Sequence, residues 1–310
     1  MASLNDFHPS LRTMIKYFSS NRGSITESTV YSYYTRRANL PFAQNRANRQ
    51  RFDLVFLEMA ASIQQLKYPT ISTKLQSATW TPDIVSILHQ VNQGQISIDK
   101  LNRGFIHFRS PKYREVEVQH RVYMKIRRSP SPGDYIFYAK ELILELAPLL
   151  ADVRTRGSIA GFAAFKVAMP SIQDRNDTTV AYLSSRKSVQ NLKTHIKKHG
   201  RNILLQAGVP PGVNETQSLP GWGEAGEPEG GISFGTLLSK AISKGHENYR
   251  KGQLTPRPAG RTRAQARRNS NDSGKSDYYE AIINSFWNYR IDPKMPFNNP
   301  GRNLRPSTSR

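Results

Sequence analysis

A mainly α-helical, multi-helix body with a small antiparallel β element and a disordered basic C-terminal tail is the fold class the sequence predicts. Three observations predict it. Apolar residues recur at helical spacing through most of the first hundred positions, and residues 114–127 change to a period of two. Residues 250–275 then carry eight cations against the single acid Asp272, with Leu254 the only large aliphatic side chain. Such a segment cannot bury enough apolar surface to offset the entropy of ordering it.

The elements follow in order. Pro9 opens a helix through Leu11, Met14, Ile15 and Phe18, and Gly23 follows it. Ser24 and Glu27 form a capping-box pattern ahead of Val30, Tyr31, Tyr33 and Tyr34, and Pro41 ends that element. From residue 43 to 66, Phe52, Val55, Phe56, Met59, Ile63 and Leu66 describe one long amphipathic helix. Thr81, Pro82 and Asp83 start another, which Gly94 stops. Val116, Val118, Val122, Met124 and Ile126 then alternate with polar residues as in a half-buried strand, and residues 105–109 can pair with it through a turn at Ser110-Pro111-Lys112. An apolar helix starts near Asp134 and runs through Leu142, Leu146 and Leu150, kinked or ended by Pro148. Residues 157–169 suit a buried helix or a strand equally. Residues 185–205 read as a helix that Gly200 can split, 208–231 as a Pro/Gly-rich acidic loop, and 233–249 as a last body helix.

These elements group into an N-terminal helical region (1–103) and a hairpin-and-helix region (104–249), which can form one body with the first. A flexible basic linker (250–276), an aromatic docking arm (277–297) and a disordered tail (298–310) complete the expected organisation.

The formal charge of +22 is spread along the chain, and its natural partner is a polyanion, single-stranded RNA above all. Four groups of residues are candidates for nucleic-acid binding. Arg46, Arg49 and Arg51 open the longest helix, where a phosphate would meet side chains and helix dipole together. Arg121, Tyr123, Lys125 and Arg127 share one strand face, cations interleaved with a stacking ring. Arg186, Lys193, Lys197 and Arg201 lie close to one side of the helix from Ser185. Arg261, Arg263, Arg267 and Arg268 belong to the linker. Tyr278, Tyr279, Ile282, Ile283, Phe286 and Trp287 form the docking arm, expected to seat on a second copy of the chain, with docking on its own body as the rival.

With no cysteine, the chain has no disulfide, thiolate metal site or cysteine nucleophile. His195 and His199 have the spacing of zinc-binding histidines, but Ile196 stands where a metalloprotease carries its glutamate, so they read as surface histidines. Glu115 and Glu117 share a strand face without a third carboxylate. No phosphate-cradling glycine loop, nucleophile elbow or dinucleotide fingerprint is present, and no metal or cofactor is expected. The run Asn45-Arg46-Ala47-Asn48-Arg49 with Phe52-Asp53 resembles a segment of potyvirus-type filamentous plant-virus coat proteins, whose later motifs this chain lacks.

The expected function is therefore non-catalytic, sequence-tolerant RNA binding and packaging of the viral nucleocapsid or coat type, with self-association through the terminal arm. Its rivals are a nucleic-acid-processing enzyme, a nuclease or transferase, and an RNA-shuttling or movement regulator. The N-terminal residues lack the pattern of a signal peptide and no segment is apolar enough for membrane insertion, so the expected location is cytoplasmic or nuclear, or the virion.

Overall fold

The computed structural model describes residues 2–21, 23–35, 45–65, 71–75, 83–98, 101–111, 117–127, 131–150, 157–200, 208–228, 232–253 and 273–298. Helices are α1 (Pro9–Ser19), α2 (Glu27–Thr35), α3 (Arg46–Gln65), α4 (Ile84–Asn92), α5 (Pro132–Leu146), α6 (Arg186–His195), α7 (Phe234–Arg250) and α8 (Ser273–Asn288). Strands are β1 (Ile71–Leu75), β2 (Leu101–Arg109), β3 (His120–Met124), β4 (Phe162–Ala168), β5 (Thr179–Leu183), β6 (Asn214–Glu215) and β7 (Trp222–Gly226). The fold is thus mixed α/β, which corrects the mainly α expectation. The strands join one sheet in the order β1-β2-β4-β5-β3-β7-β6, six of them five residues or longer.

Pairing between β1 and β2, β2 and β4, β4 and β5, and β3 and β5 is antiparallel. The expected hairpin between 105–109 and 114–127 is therefore replaced: β2 lies between β1 and β4, and β3 lies beside β5. Its physical reason is β4. Phe162–Ala168 is apolar almost throughout because it is covered on both faces, and a central strand of that kind shows no alternation.

Two compact units make up the chain. One contains Met1–Thr35, Pro210–Asn214 and Ala225–Arg310, the other Arg36–Val209 and Glu215–Glu224. The expected boundaries at 103/104 and 249/250 do not coincide with these units.

The second unit is built on the sheet. Ile106, Phe108, Phe165, Val167, Ala181, Leu183, Val122 and Met124 cover one face and share a core with Phe56 and Leu57 of α3, Ile84 and Ile87 of α4, and Leu142 and Leu146 of α5. Phe108 and Phe165 are direct cross-strand partners whose rings stack at 4.6 Å. Asp53 of α3 is buried and accepts a hydrogen bond from the Ser171 amide at 3.0 Å. The Tyr135 hydroxyl of α5 donates to the Ala168 carbonyl at 2.8 Å. Gly161, just before β4, has φ +80°, and a Cβ there would lie 1.9 Å from Ser184 Oγ, so only glycine fits.

The first unit is helical. His8 caps α1, which buries Leu11, Met14, Ile15 and Phe18. Gly235 of α7 lets the Tyr34 ring of α2 approach to 2.4 Å from where a Cβ would stand. The aromatic arm belongs to this unit: α8 lies along α7, with Ser285 Oγ donating to the Ala241 carbonyl at 2.7 Å. Tyr278, Ile282, Ile283 and Phe286 are buried, Tyr279 is half-buried and Trp287 is 38% exposed. Within the chain, these residues pack in the same unit as α7. Phe7 meets Tyr279 and Phe286 edge-on, and the Gly226 amide donates to the Phe297 carbonyl at 2.7 Å. Among the described residues no helix is long and apolar enough to cross a membrane.

Gly245 of α7 faces Ile282, whose Cα would lie 2.8 Å from an added Cβ. Replacing a mid-helix glycine ordinarily stabilises a helix by about 1 kcal/mol, so the sign here reports on packing. Gly245→Val is expected to cost about 1–3 kcal/mol through overpacking, read as a lower denaturant midpoint.

His246 donates from Nε2 to the Gly23 carbonyl at 2.9 Å and is 3% exposed. Burial lowers its pKa from the ordinary 6.5, the Gly23 contact acts in the opposite direction, and Arg250 lowers it further. The unfolded chain therefore takes up this proton near pH 6.5 while the folded chain resists it. The stabilisation is complete above that pH and is lost as pH falls through the folded value. Melting temperature is expected to drop between pH 7 and pH 5, with a shallower slope in His246→Gln.

Candidate anion-binding site

The opposite face of the sheet carries the chemistry. Register places His107 of β2 opposite Lys166 of β4, Lys166 opposite Val180 of β5, and Val180 opposite Tyr123 of β3. In the next row Arg109 lies opposite Ala164, Ala164 opposite Tyr182, and Tyr182 opposite Arg121. The Arg121 guanidinium sits over the Tyr182 ring, 5.2 Å from its centre. Arg109 and Arg121 stand three strands apart, roughly 14 Å between backbones at ordinary strand spacing. Ala164, with its single methyl, lies on the row between them.

No aspartate or glutamate occurs on β2, β3, β4 or β5. His107, Arg109, Lys166 and Tyr182 are half-buried, whereas Arg121, Tyr123 and Lys125 are 8%, 3% and 6% exposed. The Lys125 ammonium donates to Asn176 at 2.9 Å.

The segment joining β4 to β5 brings a second polar group to this face. Gln173, Asp174, Arg175, Asp177 and Thr178 are all buried. Arg175 Nε and Nη2 donate to the two carboxylate oxygens of Asp177 at 2.7 and 2.8 Å. Burial pushes the Asp177 carboxyl up, but the Arg175 charge and hydrogen bonds, followed by the Lys166 charge, outweigh it and hold it below its ordinary value. The Lys166 ammonium lies 4.1 Å from the centre of the Phe105 ring, and Arg175 lies over the same ring at 5.2 Å. Chemically the face offers guanidinium groups for a charged oxyanion, and a histidine beside a lysine as proton-carrying groups.

Sequence reasoning named only Arg121, Tyr123 and Lys125 of this face. Their expected common orientation is observed, but they are buried rather than solvated. Arg127 is exposed, its guanidinium 5.9 Å from the Tyr138 ring centre. His107, Arg109, Lys166, Arg175, Asp177 and Tyr182 were missed. Two signals could have found three of them: Lys166 is the lone charge in an apolar run, and Arg175 stands two residues from Asp177.

The other candidates lie elsewhere. Arg46 and Arg51 are exposed and Arg49 half-buried on the first turns of α3. On α6, Arg186 is exposed, but Lys193 donates to Glu224 and to Thr216, both at 2.9 Å. Lys197 is exposed on the π-helical turn Ile196–Gly200. Arg201, Arg261, Arg263, Arg267 and Arg268 lie outside the described residues, as does Glu115. His195 pairs with Glu145 at 2.9 Å, and among the described residues no group of three His, Asp or Glu could hold a metal. In the acidic loop, Glu215 accepts from the amides of Gly208 and Gly221, and Glu224 also accepts from Trp222 Nε1.

No family model matches the chain, and no curated protein is similar to it in sequence. Its fold is similar to that of two solved effector-protein structures. The structure of the effector protein from Pseudomonas syringae pv. tomato strain DC3000 superposes with a TM-score of 0.59 at 14% identity, over 94% of this chain and 96% of that one. The effector protein from Pseudomonas syringae pv. syringae strain 61 gives 0.62 at 14%, over 97% and 100%. At this identity the likeness establishes the fold alone.

Because Lys193 is held by Glu224 and Thr216, removing its charge should act on stability. Lys193→Gln is expected to cost about 1 kcal/mol or less, the worth of a partly exposed pair. Trp222, hydrogen-bonded to the same carboxylate at 2.8 Å, should report it by altered fluorescence.

Proposed function

We propose that this chain is an effector-type protein that recognises a phosphorylated group on the cationic face of β2, β3, β4 and β5. The single observation that carries the reading is four adjacent strands without one acid, bearing His107, Arg109, Arg121 and Lys166 on a common face. Half-buried His107, Arg109 and Lys166 beside the buried Arg121 form a low-dielectric cationic setting that suits a compact dianion. The names of the two structures that share the fold support the effector part of the proposal.

RNA coating remains a second reading, favoured by a different observation: Arg186, Lys187, Lys197 and Lys198 are exposed together along α6 and the turn after it. A polymer backbone is met by exposed cations of this kind, and its binding weakens steeply with salt.

Titration of the full chain with phenyl phosphate, followed by phosphorus NMR, separates the readings. Arg121→Gln should weaken binding by roughly tenfold or more, the loss of one charge-assisted hydrogen bond. Lys197→Gln with Lys198→Gln should leave it unchanged. If phenyl phosphate does not bind, while single-stranded RNA binds with an affinity that the Lys197/Lys198 pair controls and Arg121 does not, the RNA reading replaces the phosphate one.

A further inference from the structure

We propose that the first unit carries a second binding site, a cleft between α1 and α2 that takes a neutral saccharide. The cleft has a volume of about 450 Å³ and is lined by Tyr17 of α1 and by Ser28, Thr29, Ser32 and Tyr33 of α2. That volume lies within the roughly 300–1,000 Å³ that small-molecule sites occupy. Helical geometry assembles one wall. Ser28 with Ser32, and Thr29 with Tyr33, stand one turn apart on α2, so the four side chains form adjacent rows on one face. Val30 and Tyr34 lie on the opposite side and are buried, Tyr34 against Gly235 of α7.

The other wall is a ring held in place although it is 54% exposed. Tyr17 stacks on Tyr33 at 4.7 Å and meets Phe18 edge-on at 5.1 Å. Phe18 is fully buried and lies 5.4 Å from the Tyr33 ring, so the pair of tyrosines is anchored to the core. A tyrosine fixed in this way offers a flat apolar surface at little further cost in entropy.

The lining selects the ligand. In a chain of net charge +22 none of the five lining residues is charged, so an anion meets no cation among them and a cation meets no carboxylate. Ser28 and Ser32 are exposed and make no side-chain hydrogen bond to another described residue, whereas Thr29 shares one with Thr26 at 2.9 Å. Each hydroxyl both donates and accepts, and a ligand hydroxyl can reciprocate both roles. A wholly apolar ligand would strip these hydroxyls of water and return no hydrogen bond. A sugar ring meets both demands, with its C–H face on the Tyr17 ring and its hydroxyls exchanging hydrogen bonds with Ser28 and Ser32. Proline-rich peptides also pack on aromatic rings, but proline carries no N–H to return a donor, so they match the serines less well.

The test titrates the full chain, carrying ring-labelled tyrosine, with cellohexaose, maltohexaose and mannohexaose, the Tyr17 signal being assigned by its loss in Tyr17→Phe. At least one of the three is expected to shift that signal, and saturation-transfer NMR on the saccharide then follows the variants. Tyr17→Ala should weaken binding roughly tenfold or more by removing the stacking surface, while Tyr17→Phe keeps it. Ser28→Ala with Ser32→Ala should weaken it roughly threefold to tenfold through lost hydrogen bonds, and alanine is the residue best suited to keep α2 helical. Should Tyr17→Ala not fold, the serine pair carries the test. Arg121→Gln should leave saccharide binding unchanged; a loss there would move the saccharide to the sheet and overturn the cleft. The proposal is also overturned if none of the three binds, if a folded Tyr17→Ala or the serine pair binds as the wild type does, or if hexaproline shifts the Tyr17 signal where the saccharides do not.

Discussion

Unit two depends on a sheet whose helix face is apolar and whose other face carries charge. Phe108, Phe165, Val167 and Met124 exclude water on the helix side and need nothing further. The other side holds Arg121, Lys125, Arg175 and Asp177 at low exposure, and a buried charge is tolerated only with a partner or hydrogen bonds. Each visible contact answers that demand: Asp177 for Arg175, Asn176 for Lys125, the Tyr182 ring for Arg121. The segment between β4 and β5 supplies several of these answers, which is why so short a connection contains so many buried polar residues.

Helices were largely legible in the sequence because a one-sided burial pattern repeats at 3.6 residues. Leu11, Met14, Ile15 and Phe18 declare α1, and Phe56 and Ile63 declare much of α3. The sheet was legible only where one face stays polar, as in His120–Met124. Phe162–Ala168 and Thr179–Leu183 show no period, since both bury residues on both faces. The site was concealed for a related reason. Its members sit on strands that are neighbours through register alone, so His107, Lys166 and Arg121 are distant in the chain and share no spacing.

Charge alone misdirected part of the reading. Lys193 belongs to a cationic stripe in the sequence, yet it closes a contact with Glu224 and Thr216. The acidic loop, conspicuous in a basic protein, spends Glu215 on the backbone amides of its own turns. Asp53 shows the same principle: a carboxylate near three arginines in sequence proves to be buried and bonded to the Ser171 amide. A charge run fixes how a chain interacts at long range, but short-range geometry decides which charges remain for a partner.

Unit one draws α1 and α2 from one region of the chain and α7 and α8 from another far along it. During synthesis the ribosome releases Met1–Thr35 well before Ala225–Arg310, so the sides of Leu11, Phe18 and Tyr34 wait for the helices that share their unit. Arg36–Val209, which contributes most of the sheet unit, emerges in the interval and can organise first. The order of enclosure thus departs from the order of synthesis: residues made before the sheet unit are enclosed after it.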